Sequence, residues 1–213
     1  MAGTALPGRL TWQLASVLEL IDETARTKTI RLAAPEWAGH RAGQHVDVRL
    51  TAPDGYQAQR SYSIASAPED EALELTVEEL EDGEVSPYLA GELREGDELE
   101  LRGPVGGYFV WDREHGGPLM LIGGGSGIVP LRAILRHWSA TGGGVPVRML
   151  YSSRSVADVI YRDELLGRDD GAEVDVALTR EWPDDWHGHR GRVDRALLDG
   201  FVWASEQRPR IYI

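Results

Sequence analysis

The 213-residue sequence contains no cysteine. That excludes a disulfide framework, a Cys-ligated zinc and a Cys-held iron–sulfur cluster, so any redox chemistry must be carried by a bound organic cofactor. Lysine is almost absent, Lys28 being the only one. The basic stripe needed to neutralise nucleic-acid phosphates is therefore lacking, and no nucleic-acid partner is expected. There is no apolar run of about 18 residues and no N-terminal order of basic, apolar and small residues. Neither a membrane span nor a secretory signal is read, and a cytoplasmic location is expected.

Charge is abundant but uneven. The formal net charge is −13, and the stretch Glu69 to Glu100 holds 14 acidic side chains against the single Arg94, leaving the rest of the chain balanced. Such a stretch reads as a solvated face, or else as a docking surface for a basic partner.

Up to about residue 114 the pattern is β. Thr11 to Leu20, Thr27 to Ala33, His45 to Leu50, Arg60 to Ile64, Leu73 to Glu79 and Asp97 to Arg102 read as strands separated by turn clusters such as Ala52-Pro53-Asp54-Gly55. Pro87 to Leu93 reads as one short helix. Many short strands at regular intervals predict a small antiparallel barrel. After His115-Gly116-Gly117 the pattern becomes α/β: strands over Pro118 to Ile122, Val145 to Tyr151, Glu173 to Leu178 and Arg210 to Ile213, with helices from Ile128 to Trp138, Asp158 to Leu166 and Val193 to Leu198 between them. The expected organisation is a domain of residues 1–114 followed by one of residues 115–213.

Three sequence features carry chemistry. Gly123-Gly124-Gly125-Ser126-Gly127-Ile128-Val129-Pro130 lies between a buried strand and a helix, where bare backbone amides and the positive helix end favour a diphosphate. Pro130 takes the third glycine's place in the usual dinucleotide fingerprint, and a glycine turn also serves plain structure. Ser152-Ser153-Arg154 and Thr179-Arg180 each follow a parallel strand, at the sheet edge where ligands bind, and either arginine could fork onto a ribose phosphate or be an ordinary surface residue. Arg60-Ser61-Tyr62-Ser63 sets a guanidinium and a flat aromatic on one strand face, with Ser63 offering a hydroxyl; a tyrosine between serines also suits ordinary sheet packing. Asp184 to His189 holds two histidines and two carboxylates, but its loop-like composition reads as surface, and no metal site is expected.

Taken in order, Arg60-Ser61-Tyr62-Ser63, Gly83-Glu84-Val85-Ser86, Gly103-Pro104-Val105-Gly106-Gly107-Tyr108-Phe109 and the Gly123 to Pro130 loop resemble the ferredoxin–NADP reductase family of flavoproteins, across nearly the whole chain. The resemblance implies an antiparallel Greek-key barrel that binds FAD, then a Rossmann-like parallel α/β domain that binds NAD(P). It assigns the FAD diphosphate to Arg60, Gly83, Val85 and Ser86, the isoalloxazine face to Tyr62 and flavin N5 to Ser63, making Tyr62 and Ser63 the residues at the reacting atoms. Gly124, Gly125, Ser126 and Gly127 would receive the nicotinamide dinucleotide. Thr179 and Arg180 would read a 2′-phosphate, which, with Arg154 at the neighbouring sheet edge, favours NADP(H) over NAD(H). Hydride would pass to FAD, and electrons would leave singly to a separate acceptor protein such as a ferredoxin, since no fused iron–sulfur domain is read. A flavin or quinone reductase, or a non-catalytic flavin-binding subunit of an electron-transfer complex, are the alternatives. Members of the family continue beyond the strand matching Arg210 to Ile213 with a further helix and strand, so the chain is expected to be a truncated or incompletely represented form. Its oligomeric state is not readable.

Overall fold

A computed structural model describes residues 10–213; the first nine residues of the expected barrel domain lie outside the described part. Six strands open the chain: β1 (Trp12–Thr24), β2 (Thr27–Ala33), β3 (His45–Thr51), β4 (Gln57–Ser63), β5 (Leu73–Glu78) and β6 (Glu98–Val105). They pair antiparallel in the order β4-β3-β6-β1-β2-β5. An antiparallel bridge between Ile64, just past β4, and Leu75 of β5 joins the two edges and closes the barrel. The period of two fills the interior: Val46 and Val48, Ile30 and Leu32, Leu73, Leu75 and Val77, Leu99 and Leu101 are all buried. The expected helix at Pro87 to Leu93 is a single wide π-type turn over Tyr88–Glu92, with the Leu93 amide donating to the Tyr88 carbonyl at 2.9 Å and Leu89 turned into the core.

The second half forms β7 (Leu119–Gly124), α1 (Ile128–Ala140), β8 (Val147–Ser153), α2 (Arg162–Leu166), β9 (Glu173–Leu178), β10 (His189–Arg190), α3 (Arg195–Phe201) and β11 (Arg210–Tyr212). The sheet is parallel in the order β10-β9-β8-β7-β11. The chain steps outward from β7 to β10 and then crosses back to β11. This leaves the switch in strand order beside β7, where open α/β sheets bind ligands. On α1, Ile128, Leu131, Ile134, Leu135 and Trp138 are buried as their spacing requires. No helix among the described residues is long and apolar enough to cross a membrane.

Two expectations are corrected here. The helix expected over Asp158 to Leu166 is broken into a 3₁₀ turn at Val156–Asp158 and the short α2, because Tyr161 between them is left-handed (φ 58°). Tertiary contacts impose that conformation: the Tyr161 amide donates to Glu23, its hydroxyl to Thr76, and the Arg132 guanidinium lies 4.2 Å over its ring. Nor is the acidic stretch merely a solvated face. Glu74, 11% exposed, accepts from Arg132 Nη1 at 2.7 Å; Asp70 meets Arg136 at 3.1 Å and Glu69 meets His137 at 2.8 Å. Three barrel acids thus meet three bases of α1 and dock the two halves. Arg132 is itself only 6% exposed and also binds Glu164 at 2.8 Å.

Candidate functional site

β4 carries Arg60 and Tyr62 toward a cleft of about 290 Å³ that also has Ser63, Gly83, Val85 and Ser86 on its walls. The sequence-predicted flavin residues of the first half are therefore gathered in one place. Arg60 is exposed; its Nη2 donates to Glu84 at 2.7 Å, and Glu84 also accepts from the Tyr56 hydroxyl at 2.7 Å. The hydrogen bond from Tyr56 and the charge of Arg60 hold the Glu84 carboxyl below its ordinary range. Burial pushes the Tyr62 phenol up to about 12 despite Arg60 nearby, so this ring is neutral at any physiological pH.

The Gly83 to Ser86 turn is built around its own hydroxyl. Ser86 is buried and its Oγ accepts the Leu80 amide at 3.1 Å. A Cβ at Gly83 would lie 2.7 Å from that Oγ and 3.0 Å from the Leu80 carbonyl, so only glycine fits. Val85 is wholly buried in the barrel core, which leaves its backbone alone to face a ligand.

Across the domain boundary, β7 delivers the glycine loop. Gly125 is left-handed (φ 54°), and a tight turn over Gly125–Gly127 runs directly into α1 with no side chain capping the helix. The Ile128 amide already donates to the Gly125 and Ser126 carbonyls, so what faces a ligand is the backbone of the glycine turn itself, with the helix dipole behind it. Gly123 serves packing: a Cβ there would meet Leu131 Cδ1 at 2.8 Å. Past the sheet edge, the Thr179 amide donates to the Ser153 carbonyl and the Arg180 amide to the Arg154 carbonyl, each at 2.9 Å, which holds these two turns side by side. A second cleft of about 360 Å³ runs between them and the barrel and is lined by Gly124, Gly125, Ser126, Arg154 and Thr179. Gly127 and Arg180 line neither cleft.

The two clefts meet. Ser126 of the glycine loop and Glu78 at the end of β5 line both. Sequence reasoning missed Glu78, Thr76, Glu84 and Arg26. Thr76 and Glu78 could have been found by carrying the alternation of β5 to its end, whereas Arg26 reaches the second cleft from the β1–β2 hairpin and has no local signal.

The donor set fits two diphosphates and a planar ring. Each cleft offers a guanidinium and glycine backbone, and among the described residues the hydroxyls of Tyr62, Ser63 and Ser126 have no hydrogen-bond partner in the protein. A flavin dinucleotide and a nicotinamide dinucleotide have these parts.

The comparisons agree with this division. The oxidoreductase FAD-binding domain family matches residues 15–110, and the oxidoreductase NAD-binding domain family matches residues 121–213. The chain is 33% identical over 193 residues to the glycine betaine monooxygenase reductase subunit of Chromohalobacter salexigens, covering 87% of this chain and 52% of that protein. It is 38% identical over 156 residues to ferredoxin–NADP reductase B of Sorangium cellulosum, covering 71% and 62%. The chain therefore spans about half to three-fifths of the length of these relatives. Among solved structures, a ferredoxin NADP⁺ reductase from Neisseria gonorrhoeae with bound FAD and NADP superposes with a TM-score of 0.80 at 22% identity, over 94% of this chain and 83% of that one, a likeness of fold.

Proposed function

The chain belongs to the ferredoxin–NADP reductase-like family of flavoproteins, and on that footing we propose that it is an FAD-dependent NAD(P)H reductase delivering electrons singly to a separate acceptor protein such as a ferredoxin. The observation that supports the proposal is the meeting of the two clefts at Ser126 and Glu78, where the ends of two dinucleotides, one in each cleft, would come together. FAD, when bound, supplies the conversion of a two-electron donor into a one-electron donor, chemistry that no side chain of a cysteine-free chain provides.

The chain's own residues bind and orient. Arg60 exchanges its exposed partner Glu84 for the FAD diphosphate, helped by the backbone of Gly83 and Val85 and by the Ser86 hydroxyl, whose proton is still free to donate. Tyr62 presents a neutral ring to the isoalloxazine, and Ser63 offers its hydroxyl to the ring edge. Backbone of Gly124 and Gly125 holds the nicotinamide nucleotide's diphosphate, with the Ser126 hydroxyl at the junction of the clefts. Arg154 forks onto a 2′-phosphate beside Thr179, which favours NADP(H) over NAD(H). Arg180, which lines neither cleft, contributes through the hydrogen bond its backbone amide donates to the Arg154 carbonyl. Residues 1–114 form the FAD domain and residues 115–213 the NAD(P) domain. The names of the relatives, reductase subunits of oxygenases among them, favour an acceptor that is another protein.

An absorption spectrum of the purified protein tests this, followed by anaerobic addition of NADPH and, separately, NADH. The expected result is a flavin spectrum bleached by NADPH at lower concentration than by NADH. A protein that binds no FAD in excess would overturn the reading.

A further inference from the structure

The nucleotide cleft has a wall that belongs to the barrel. Thr24, Arg26 and Thr27 of the β1–β2 hairpin and Glu78 of β5 face the glycine loop across it. The hairpin is tied to the end of β5 by two bonds, the Glu79 amide to the Arg26 carbonyl and Arg26 Nη2 to the Glu79 carbonyl, both 2.8 Å. That fixes the root of the Arg26 side chain and uses one guanidinium nitrogen. Among the described residues, Nε and Nη1 have no partner. Glu78 is half-buried and makes no hydrogen bond or ion pair among the described residues. Its Oε2 lies 4.0 Å from where a Cβ on Gly125 would stand, so the carboxylate faces the loop itself.

These two charges differ in position along the cleft. Arg26 lines only the nucleotide cleft, as Arg154 does, whereas Glu78 stands at the junction with the flavin cleft. The Arg26 guanidinium, away from the junction, attracts phosphate, whereas a bare carboxylate at the junction does not. A carboxylate can still accept a hydrogen bond from a hydroxyl or amide donor, and such donors are found on the nicotinamide riboside end of a dinucleotide.

We propose that Arg26 and Glu78 set the direction in which the dinucleotide lies: Arg26 grips the diphosphate from the side opposite the glycine loop, and Glu78, at the junction, accepts a hydrogen bond from the nicotinamide riboside. The inference rests on the reading of this cleft as the nicotinamide dinucleotide site.

The test is equilibrium binding to flavin-loaded protein, measured by calorimetry with oxidised NADP⁺ or NAD⁺ and with ADP, which keeps the diphosphate and lacks the nicotinamide riboside. Arg26→Ala should weaken both ligands by the same factor, roughly tenfold, the worth of one charged hydrogen bond. Glu78→Ala should weaken the dinucleotide roughly tenfold while leaving ADP unchanged or tighter, and Glu78→Gln, which keeps an acceptor, should recover much of the loss. Equal weakening of both ligands by Glu78→Ala, or no effect of Arg26→Ala on either, would overturn the inference while the dinucleotide site stood. Wild-type protein that binds no nicotinamide nucleotide would instead overturn the reading beneath it. Unchanged flavin absorbance in each variant shows that the barrel is intact.

Discussion

Replacing Arg132 by methionine tests what holds the two halves in register. The side chain is 6% exposed, with Nη1 at 2.7 Å from Glu74 and Nε at 2.8 Å from Glu164. Burial alone would lower its pKa, but Glu164 and its other neighbours outweigh that, so it stays charged. Removing one partner of a buried pair costs about 3–5 kcal/mol, because the remaining charge is left without compensation. Here compensation is partial: Arg136 reaches Glu164 at 2.9 Å and Glu74 at 3.5 Å, and Arg31 reaches Glu74 at 3.5 Å. The expected loss is therefore at the lower end of that range, about 3 kcal/mol. With a urea dependence of about 2–3 kcal/mol/M, the unfolding midpoint, followed by tryptophan fluorescence, should fall by about 1–1.5 M. Adding Glu74→Gln to Arg132→Met should return part of the stability, since it removes a stranded charge. Arg132→Lys should fall between, because an ammonium cannot bridge two carboxylates in the guanidinium's geometry. A loss below about 1 kcal/mol for Arg132→Met would refute the reasoning, since that is the worth of a solvated surface pair.

Other perturbations have definite directions. Arg60→Ala should weaken FAD binding about ten- to a hundredfold, read from flavin fluorescence released on dilution. Gly83→Ala, whose Cβ would stand 2.7 Å from Ser86 Oγ, should destabilise the fold by about 1–3 kcal/mol and loosen flavin, while Gly91→Ala, with nothing within 4 Å, should do neither. Arg154→Ala should weaken NADP⁺ binding more than NAD⁺ binding in calorimetry; equal loss would remove it from the 2′-phosphate. His40 is half-buried with Nδ1 accepting from Trp37 at 3.3 Å and Nε2 donating to the Ser66 carbonyl at 3.0 Å, and its partial burial holds its pKa below 6.5. The unfolded chain then binds the proton more tightly, so this stabilisation is complete above about pH 6.5 and is lost as pH falls through the lower folded value. The urea midpoint of wild type should drop more between pH 7.5 and 5.5 than that of His40→Gln.

Local pattern was legible because local physics decides it. Alternation marks β2, β3 and β5 within a residue or so, and the 3.6-residue spacing of Ile128, Leu131, Leu135 and Trp138 marks the buried face of α1. Features settled by distant partners were not. Nothing near Tyr161 in the sequence announces a left-handed residue; its conformation depends on Glu23 and Thr76, 138 and 85 positions away. The strand His189–Arg190 exists because it pairs with Ala177 and Leu178, not because its own composition favours extension. Along β5, Glu74 is an acid whose use depends on the helix it faces, and Glu78 one whose use depends on the loop it faces. Composition alone treats both as surface charge.

The polar character of the docking surface follows from what the site requires. Apolar contacts also join the halves, with Ala42, Ala65 and Trp111 packed into the α/β core, but such packing is non-directional and accommodates small slips. Arg132 does not. It is held at once to Glu74 on β5, to the Ala65 carbonyl and to Glu164 on α2, and a slip of a few ångströms would strand a buried charge. Thr76, two residues along β5 from Glu74, bonds the Tyr161 hydroxyl on the other side, and Glu78, two further on, stands where the clefts meet. One face of one strand therefore carries an ion pair, a buried hydroxyl pair and the junction carboxylate in sequence. The interactions that fix the docking angle are thus built into the same six residues that bring the glycine loop to the flavin cleft, so that loosening the first must misplace the second.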